Sequence, residues 1–280
     1  MTKPILKWVG GKTQLIDTIL PLFPRVIQNY YEPFVGGGSV LLAVLANREI
    51  TVRGNIYATD ANAPLIGLYK NIQSNHIALF EQLQTMIAEY NDSPDYYYAI
   101  REKYNAMTGD VKCSVVGSAL FLFLNKTCFR GMFRLNKSGG FNVPFGNYKR
   151  PEIINRAHLE EIHTLIQPVI FECCDFETKM KKMVVGDFAY LDPPYVPETP
   201  LSFVGYTSDG FDVETHTRLF TICKSCPGAF IMSNSDTEFL REQFAETDDK
   251  YHIRTVECRR RINSRRPDAT TNEIILVNYE

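Results

Sequence analysis

Tyr30-Tyr31-Glu32-Pro33-Phe34-Val35-Gly36-Gly37-Gly38 is the stretch on which the fold turns. The segment from Tyr30 to Val35 is rich in aromatic and apolar residues, reads as a strand, and stops at three glycines. Apolar residues continue from Val40, so a helix is expected from Gly38 to about Arg48. A further strand over Asn55–Thr59 ends at an acid, Asp60. Strand, glycine turn, helix, strand and acid open a doubly wound parallel α/β sheet.

Before this unit a helix is expected from about Thr13 to Leu20. After it, roughly 62–166 shows helical periodicity, as in Leu79, Leu83, Met86 and Ile87 and again from Ser114 to Lys126. Buried-strand patterns return at Pro168–Cys173, Asp187–Leu191, Ala229–Ser233 and Ile274–Asn278. The expected architecture is an α/β core built from residues 1–61 and 167–280, interrupted by a mostly helical insertion over 62–166.

The composition, 45% hydrophobic and 22% charged over 280 residues, is that of a soluble globular chain with a full core. No apolar run approaches the roughly 20 residues of a membrane helix, and Met1-Thr2-Lys3-Pro4 lacks the regions of a signal peptide. Seven cysteines, among them Cys173-Cys174 and a lone Cys223-x-x-Cys226, form neither a disulfide framework nor a zinc set. Reduced thiols and no metal are the expectation. His216 and His252 sit in no constellation and read as ordinary surface or core histidines.

A net charge of −2 argues against nucleic acid as a partner, but the distribution argues for it. From Val111 to Pro151 there is no Asp or Glu, while Lys112, Lys126, Arg130, Arg134, Lys137, Lys149 and Arg150 all occur. A second cluster comprises Arg254, Arg259, Arg260, Arg261, Arg265 and Arg266. Two such clusters on an acidic chain fit a phosphate-binding footprint. Within the first, Ser138-Gly139-Gly140 and Pro144-Phe145-Gly146 forbid a helix and predict a hairpin or long ordered loop. Its aromatics (Phe129, Phe133, Phe141, Phe145 and Tyr148) suit base stacking equally with a small local core.

Asp192-Pro193-Pro194-Tyr195 closes the apolar run Phe188–Leu191. Two prolines fix the backbone and remove two donors, leaving carbonyls to accept beside a carboxylate and an aromatic face. That set suits an amino group on a planar ring; an ordinary strand-ending turn has the same sequence. The glycine motifs narrow the cofactor. Gly10-Gly11-Lys12-Thr13 has Leu6 where a P-loop needs glycine, and Gly36-Gly37-Gly38 has Leu41 where a dinucleotide fingerprint needs its last glycine. A nucleoside without pyrophosphate, its ribose on Asp60, fits better.

Together these residues resemble the Dam-type DNA adenine methyltransferases (D12 class, alpha order). The likeness runs through Lys7-Trp8-x-Gly-Gly-Lys12, Glu32 to Gly38, Asp60, Asn125, Arg130-Gly131, Arg134-x-Asn136, Gly140 to Gly146, Asp192 to Tyr195, Ser233-Asn234 and Asn272-Glu273. It implies a Rossmann-like S-adenosylmethionine-dependent core, with the insertion as a target recognition domain carrying a β-hairpin. Trp8, Lys12, Glu32, Phe34, Gly36, Gly38, Asp60, Phe176 and Asp192 would hold S-adenosylmethionine, which leaves as S-adenosylhomocysteine, with no metal. Asp192, Pro193, Pro194 and Tyr195 would be catalytic. Lys7, Phe129, Arg130, Met132, Arg134, Asn136, Asn142, Pro144 and Tyr148 would contact double-stranded DNA, with Phe129 wedged in where the base is flipped and GATC as the target. The resemblance further implies a monomer in solution, more than one copy on DNA, and the cytoplasm of a bacterial or phage-infected cell. The enzyme would stand alone or beside a restriction nuclease. The nearest alternatives are an amino-methyltransferase acting on RNA, protein glutamine or free nucleosides, and a DNA-binding module without catalysis.

Overall fold

The computed structural model describes residues 2–197, 211–245, 250–259 and 270–279. Nine strands are described: β1 Val26–Ile27, β2 Tyr30–Glu32, β3 Thr51–Val52, β4 Ile56–Asp60, β5 Val169–Cys173, β6 Phe188–Leu191, β7 Ala229–Ser235, β8 His252–Arg259 and β9 Thr270–Val277. Seven form one mostly parallel sheet in the order β5-β4-β2-β6-β7-β9-β8, and β1 pairs with β3 apart from it. The parallel pairs β2–β6 and β6–β7 give way to antiparallel β7–β9 and β9–β8. The described α-helices are α1 Ile16–Ile19, α2 Ser39–Ala46, α3 Ala63–Tyr90, α4 Pro94–Ala106, α5 Val115–Thr127, α6 Arg156–Leu165, α7 Phe176–Met180, α8 Val213–Ser225 and α9 Glu238–Ala245. The fold is the expected α/β class.

Two expectations shift locally. The helix predicted over Thr13–Leu20 is a 3-10 turn (Lys12–Gln14), one α-helical turn and a second 3-10 turn containing Pro21. Proline there withholds a backbone donor and ends regular winding. The predicted hairpin at 130–150 is held by two isolated bridges, Cys128 to Phe145 and Leu135 to Phe141, rather than a continuous ladder. The glycines and proline between them explain the breaks. Of the second arginine cluster, Arg254 is exposed on β8, while Arg260, Arg261, Arg265 and Arg266 lie outside the described residues.

The chain divides into two compact units, Met1–Ile16, Val35–Arg48 and Ala58–Cys173 in the first, and Asp17–Phe34, Glu49–Tyr57 and Cys174–Glu280 in the second. In the first, long α3 packs on α5 and α6. The Asn62 side chain caps α3 by accepting from Leu65 N, and the Ser114 hydroxyl caps α5 by accepting from Gly117 N. Their core faces carry Leu65, Leu68, Ile72, Leu79 and Leu83 against Leu120, Phe121, Phe123 and Leu124. α4 holds the loop beyond α5. The Tyr97 hydroxyl donates to Val143 O at 2.7 Å, and Asn105 bonds both N (2.8 Å) and O (3.0 Å) of Phe141.

In the second unit the buried residues of β6, β7 and β9 include Leu191, Phe230, Met232, Ile274 and Leu276. Leu219, Phe220 and Cys223 of α8 and Leu240 and Phe244 of α9 pack with them. The Cys-x-x-Cys pair is core: Cys223 and Cys226 are both buried, and burial pushes both thiols up. His216 is core too.

Candidate active site

β2 and β6 are parallel neighbours, with Tyr30 opposite Phe188 and Tyr31 opposite Ala189. From β2 the chain winds to β4 and β5 on one side, and from β6 to β7 on the other. Their junction is the point where the winding reverses, and open α/β sheets bind ligands at the carboxyl ends of strands there. Glu32-Pro33-Phe34 and Asp192-Pro193-Pro194-Tyr195 leave the sheet at that end.

Glu32 is only 3% exposed and accepts from the Tyr30 hydroxyl at 2.7 Å. The Tyr190 hydroxyl shares a 2.8 Å bond with Ser233 Oγ. Asp192 is half-buried, Pro193 buried and Pro194 exposed. The segment beyond is pinned by two paired strands. Tyr195 OH donates to Glu273 Oε2 at 2.6 Å, Val196 N donates to Asn234 Oδ1 at 2.9 Å, and Ser235 Oγ donates to Val196 O. Ser235 of β7 and Glu273 of β9 lie opposite each other in the ladder. Burial first, then the charges of Asp192 and Glu273, hold the Tyr195 phenol well above its ordinary range, so it stays a donor.

Beside this end, Phe34, Phe176 and Phe211 form an aromatic cluster with centroids 5.4 Å, 5.9 Å and 6.0 Å apart. Phe176 is buried, with the Arg218 guanidinium 5.0 Å above its ring and tied to Asp175 at 2.8 Å. The His216 ring meets Phe211 edge-on at 4.7 Å, and burial lowers its pKa to about 4.

In the first unit the glycine turn has left-handed Gly36 (φ +46) and Gly38 (φ +71). Its glycines are demanded by neighbouring side chains. A Cβ on Gly36 or Gly37 would lie 2.8 Å from Trp8, and one on Gly38 would lie 2.7 Å from the Tyr69 hydroxyl. That hydroxyl donates to Gly36 O at 3.0 Å. Asp60 closes the turn, its Oδ2 accepting from Gly36 N at 3.1 Å and its Oδ1 from Asn62 N at 2.9 Å. Burial raises its pKa despite these bonds. Lys12 is 3% exposed, its N bonding Ser39 Oγ (3.0 Å) and its ammonium Gly10 O (2.5 Å).

The same unit gathers the basic, aromatic loop. Phe129, 43% exposed, opens a 3-10 turn in which Arg130 is left-handed (φ +57). Phe129 N donates to Pro144 O at 2.8 Å, and Arg130 N to the Tyr148 hydroxyl at 2.9 Å. The Lys7 ammonium lies 4.0 Å over the Tyr148 ring and donates to Lys126 O at 3.2 Å. Burial lowers its pKa. Arg134 Nε donates to Asn142 Oδ1 at 2.7 Å. Asn136 Oδ1 accepts from Ser138 N, Ser138 Oγ and Gly140 N, so its carbonyl serves the turn.

Glu273, Ser235, Phe211 and Phe133 were not among the expected site residues. Glu273 lies 78 residues from the tyrosine it orients, and no local pattern signals that pairing. Phe133, by contrast, stood in the basic loop as one aromatic among five.

A family profile described as D12 class N6 adenine-specific DNA methyltransferase matches residues 8–262. Type II methyltransferase M.MjaIII of Methanocaldococcus jannaschii is 34% identical over 295 residues, covering 99% of each chain. The DNA adenine methylase of Haemophilus influenzae is 34% identical over 86% of this chain and 82% of its own. That of Escherichia coli K12 is 31% identical over 94% of this chain and 90% of its own. The family brings with it S-adenosylmethionine as methyl donor and DNA as substrate. This chain belongs to the D12 class of N6 adenine-specific DNA methyltransferases.

Proposed function

We propose that this protein methylates the exocyclic N6 of an adenine turned out of duplex DNA, at GATC. The β2–β6 pairing carries the reading, since it sends Glu32-Pro33-Phe34 and Asp192-Pro193-Pro194-Tyr195 out at one sheet end. The amine lone pair of adenine is delocalised into the ring. Asp192 and the Pro193 carbonyl accept its two hydrogens and draw them out of the ring plane, concentrating the pair on nitrogen. Asp192 would take the proton that the amine gives up as the methyl's bond to sulfur is exchanged for one to nitrogen, with S-adenosylhomocysteine leaving. The Tyr195 ring, held by Glu273, stacks on the base.

The residues present fit the methyl donor. Trp8, Lys12, Glu32, Phe34, Gly36, Gly38, Asp60, Phe176 and Asp192 supply the contacts. A buried ammonium matches the donor's carboxylate, Asp60 its ribose hydroxyls and the aromatic cluster its adenine. When bound, S-adenosylmethionine supplies an already activated methyl, so the protein's task is placement.

Residues 62–166 act as the target recognition domain of a core made from 1–61 and 167–280. Phe129 enters the stack in place of the flipped base, whose removal costs a few kcal/mol. Arg134, steadied by Asn142, presents the outer edge of its guanidinium to guanine, while Met132 and Pro144 contact thymine methyls. Lys7, Arg130, Asn136 and Tyr148 complete the DNA contacts. The enzyme works as a monomer in the cytoplasm, with more than one copy able to occupy a duplex.

The test is incubation with unmethylated duplex and methyl-labelled S-adenosylmethionine, followed by digestion to nucleosides and sequencing of modified bases. Label in N6-methyladenine at GATC is expected. Label absent from adenine overturns the activity, and label at another sequence overturns the specificity.

A further inference from the structure

Trp8 lies against two segments of the first unit with different duties. Its indole fills the space over Gly36, where a Cβ would come within 2.8 Å of the ring nitrogen, and the Trp8 Cβ lies 2.8 Å from where one on Gly37 would be. It also stacks on Phe133, with ring centroids 5.9 Å apart and planes 19° from parallel. Phe133 packs in turn on Phe121 of α5 and on Phe141, at 5.5 Å and 5.9 Å. Its sequence neighbours are Met132 and Arg134. Arg134 is exposed while Phe133 is packed, as alternating side chains on a non-helical segment would be.

We propose that Phe133 is a positioning residue that couples base reading to cofactor binding through its stack on Trp8. The proposal deepens the function above and rests on it, since Met132 and Arg134 are readers only if that function holds. A correct base pair fixes residues 132–134 and so presses the Phe133 ring to Trp8. Trp8 braces the Gly36–Gly38 turn, which Asp60 and Tyr69 hold at Gly36 N and Gly36 O. Both rings have few rotatable bonds and close neighbours, so displacement of one passes to the other rather than being absorbed. Thermodynamic linkage makes the coupling reciprocal: DNA that seats correctly tightens the cofactor, and cofactor tightens DNA of the right sequence by the same factor.

The experiment measures S-adenosylhomocysteine affinity by calorimetry without DNA, with the duplex the wild type methylates, and with that duplex changed at one target base pair. Wild type, Phe133→Leu and Phe133→Met are compared, each after its thermal melt confirms folding. In the wild type the target duplex is expected to tighten the ligand by about fivefold or more, the low end of typical couplings, and the altered duplex by little. In either folded variant that ratio collapses toward one, while affinity without DNA stays within about twofold of wild type, because no contact to the ligand is removed. Phe133→Tyr keeps the ring and is expected to keep the ratio.

A wild type that methylates duplex DNA yet shows no coupling overturns the proposal. So does a leucine or methionine variant that retains the full ratio. A wild type that fails to methylate any duplex brings down the proposed function itself, and this coupling with it.

Discussion

Asn125 grips Lys7 at both of its backbone polar groups, its Oδ1 accepting from Lys7 N at 2.9 Å and its Nδ2 donating to Lys7 O at 2.7 Å. The same Nδ2 reaches Gly131 O at 3.1 Å. A buried side-chain amide thus imitates a strand partner and ties the N-terminal segment to the loop of proposed DNA contacts. Asn105 does the same to Phe141. Asn125→Ala leaves Lys7 N–H, Lys7 C=O and Gly131 C=O short of a partner at a buried site. Each uncompensated group costs about 1–3 kcal/mol, and partial rehydration reduces the total to roughly 2–4 kcal/mol. The denaturation midpoint is expected to fall accordingly with an unchanged slope. An unchanged midpoint would show that water replaces the amide at no cost.

Gly131 tests the same joint from the other side. It is left-handed (φ +65), and a Cβ there would lie 2.2 Å from the Lys7 Cβ. Gly131→Ala meets both a strained backbone, roughly 1–2 kcal/mol, and a collision that only moving the Lys7 segment relieves. The expected result is weaker binding of all duplexes, whatever their sequence, because the Lys7 ammonium above Tyr148 is displaced along with its backbone. Affinity measured over a salt series checks it. A loss confined to one target sequence would contradict this account.

The sheet was legible because its strands are locally marked. Tyr30-Tyr31 is an aromatic pair and Phe188 to Leu191 an apolar run, each soon followed by turn residues, a signal readable without knowing their partners. β8 was not foreseen, since His252-Ile253-Arg254-Thr255-Val256-Glu257 is a partly polar edge strand, exposed where an inner strand would be apolar. The candidate site was legible where one short motif closes a strand, as Asp192 to Tyr195 closes β6. It was illegible where the geometry comes from strand register. Glu273 faces Ser235 only because β7 and β9 pair antiparallel, and a one-residue slip would turn its side chain to the other face. The steric demand that Trp8 and Tyr69 place on the glycine turn was illegible too, because both partners lie far from it in sequence.

The Tyr195–Glu273 bond should matter to turnover more than to stability. Glu273→Gln preserves an oxygen acceptor for the phenol, whereas Glu273→Ala leaves a part-buried hydroxyl without this partner. A bond to a charged acceptor contributes about 1.5–3 kcal/mol. If most of that serves to hold the ring in place for the base, kcat in the alanine variant falls about ten- to a hundredfold. The glutamine variant keeps most of the rate. Single-turnover methylation separates this from slow product release. Equal rates in the alanine variant and wild type would remove Glu273 from the site.

His216 gives the fold a dependence on acid. Its ring is 1% exposed, set edge-on to Phe211 at 4.7 Å and beside Phe220 at 5.9 Å, with Asp212 the facing charge. Burial holds its pKa at about 4, against 6.5 for an unperturbed histidine. Between those values the unfolded chain binds a proton that the folded chain refuses, so stability falls as pH drops from 6.5 toward 4 and is fully present above 6.5. The loss from this group alone is roughly 2–4 kcal/mol at the acid end. His216→Leu removes the titration while keeping an apolar side chain against the same rings. Melting temperatures at pH 7.5 and pH 5 are expected to diverge less for the leucine variant than for the wild type, with the variant gaining ground only below pH 6.5. Parallel pH profiles for the two proteins would mean that the ring is already charged, or already rehydrated, in the folded state.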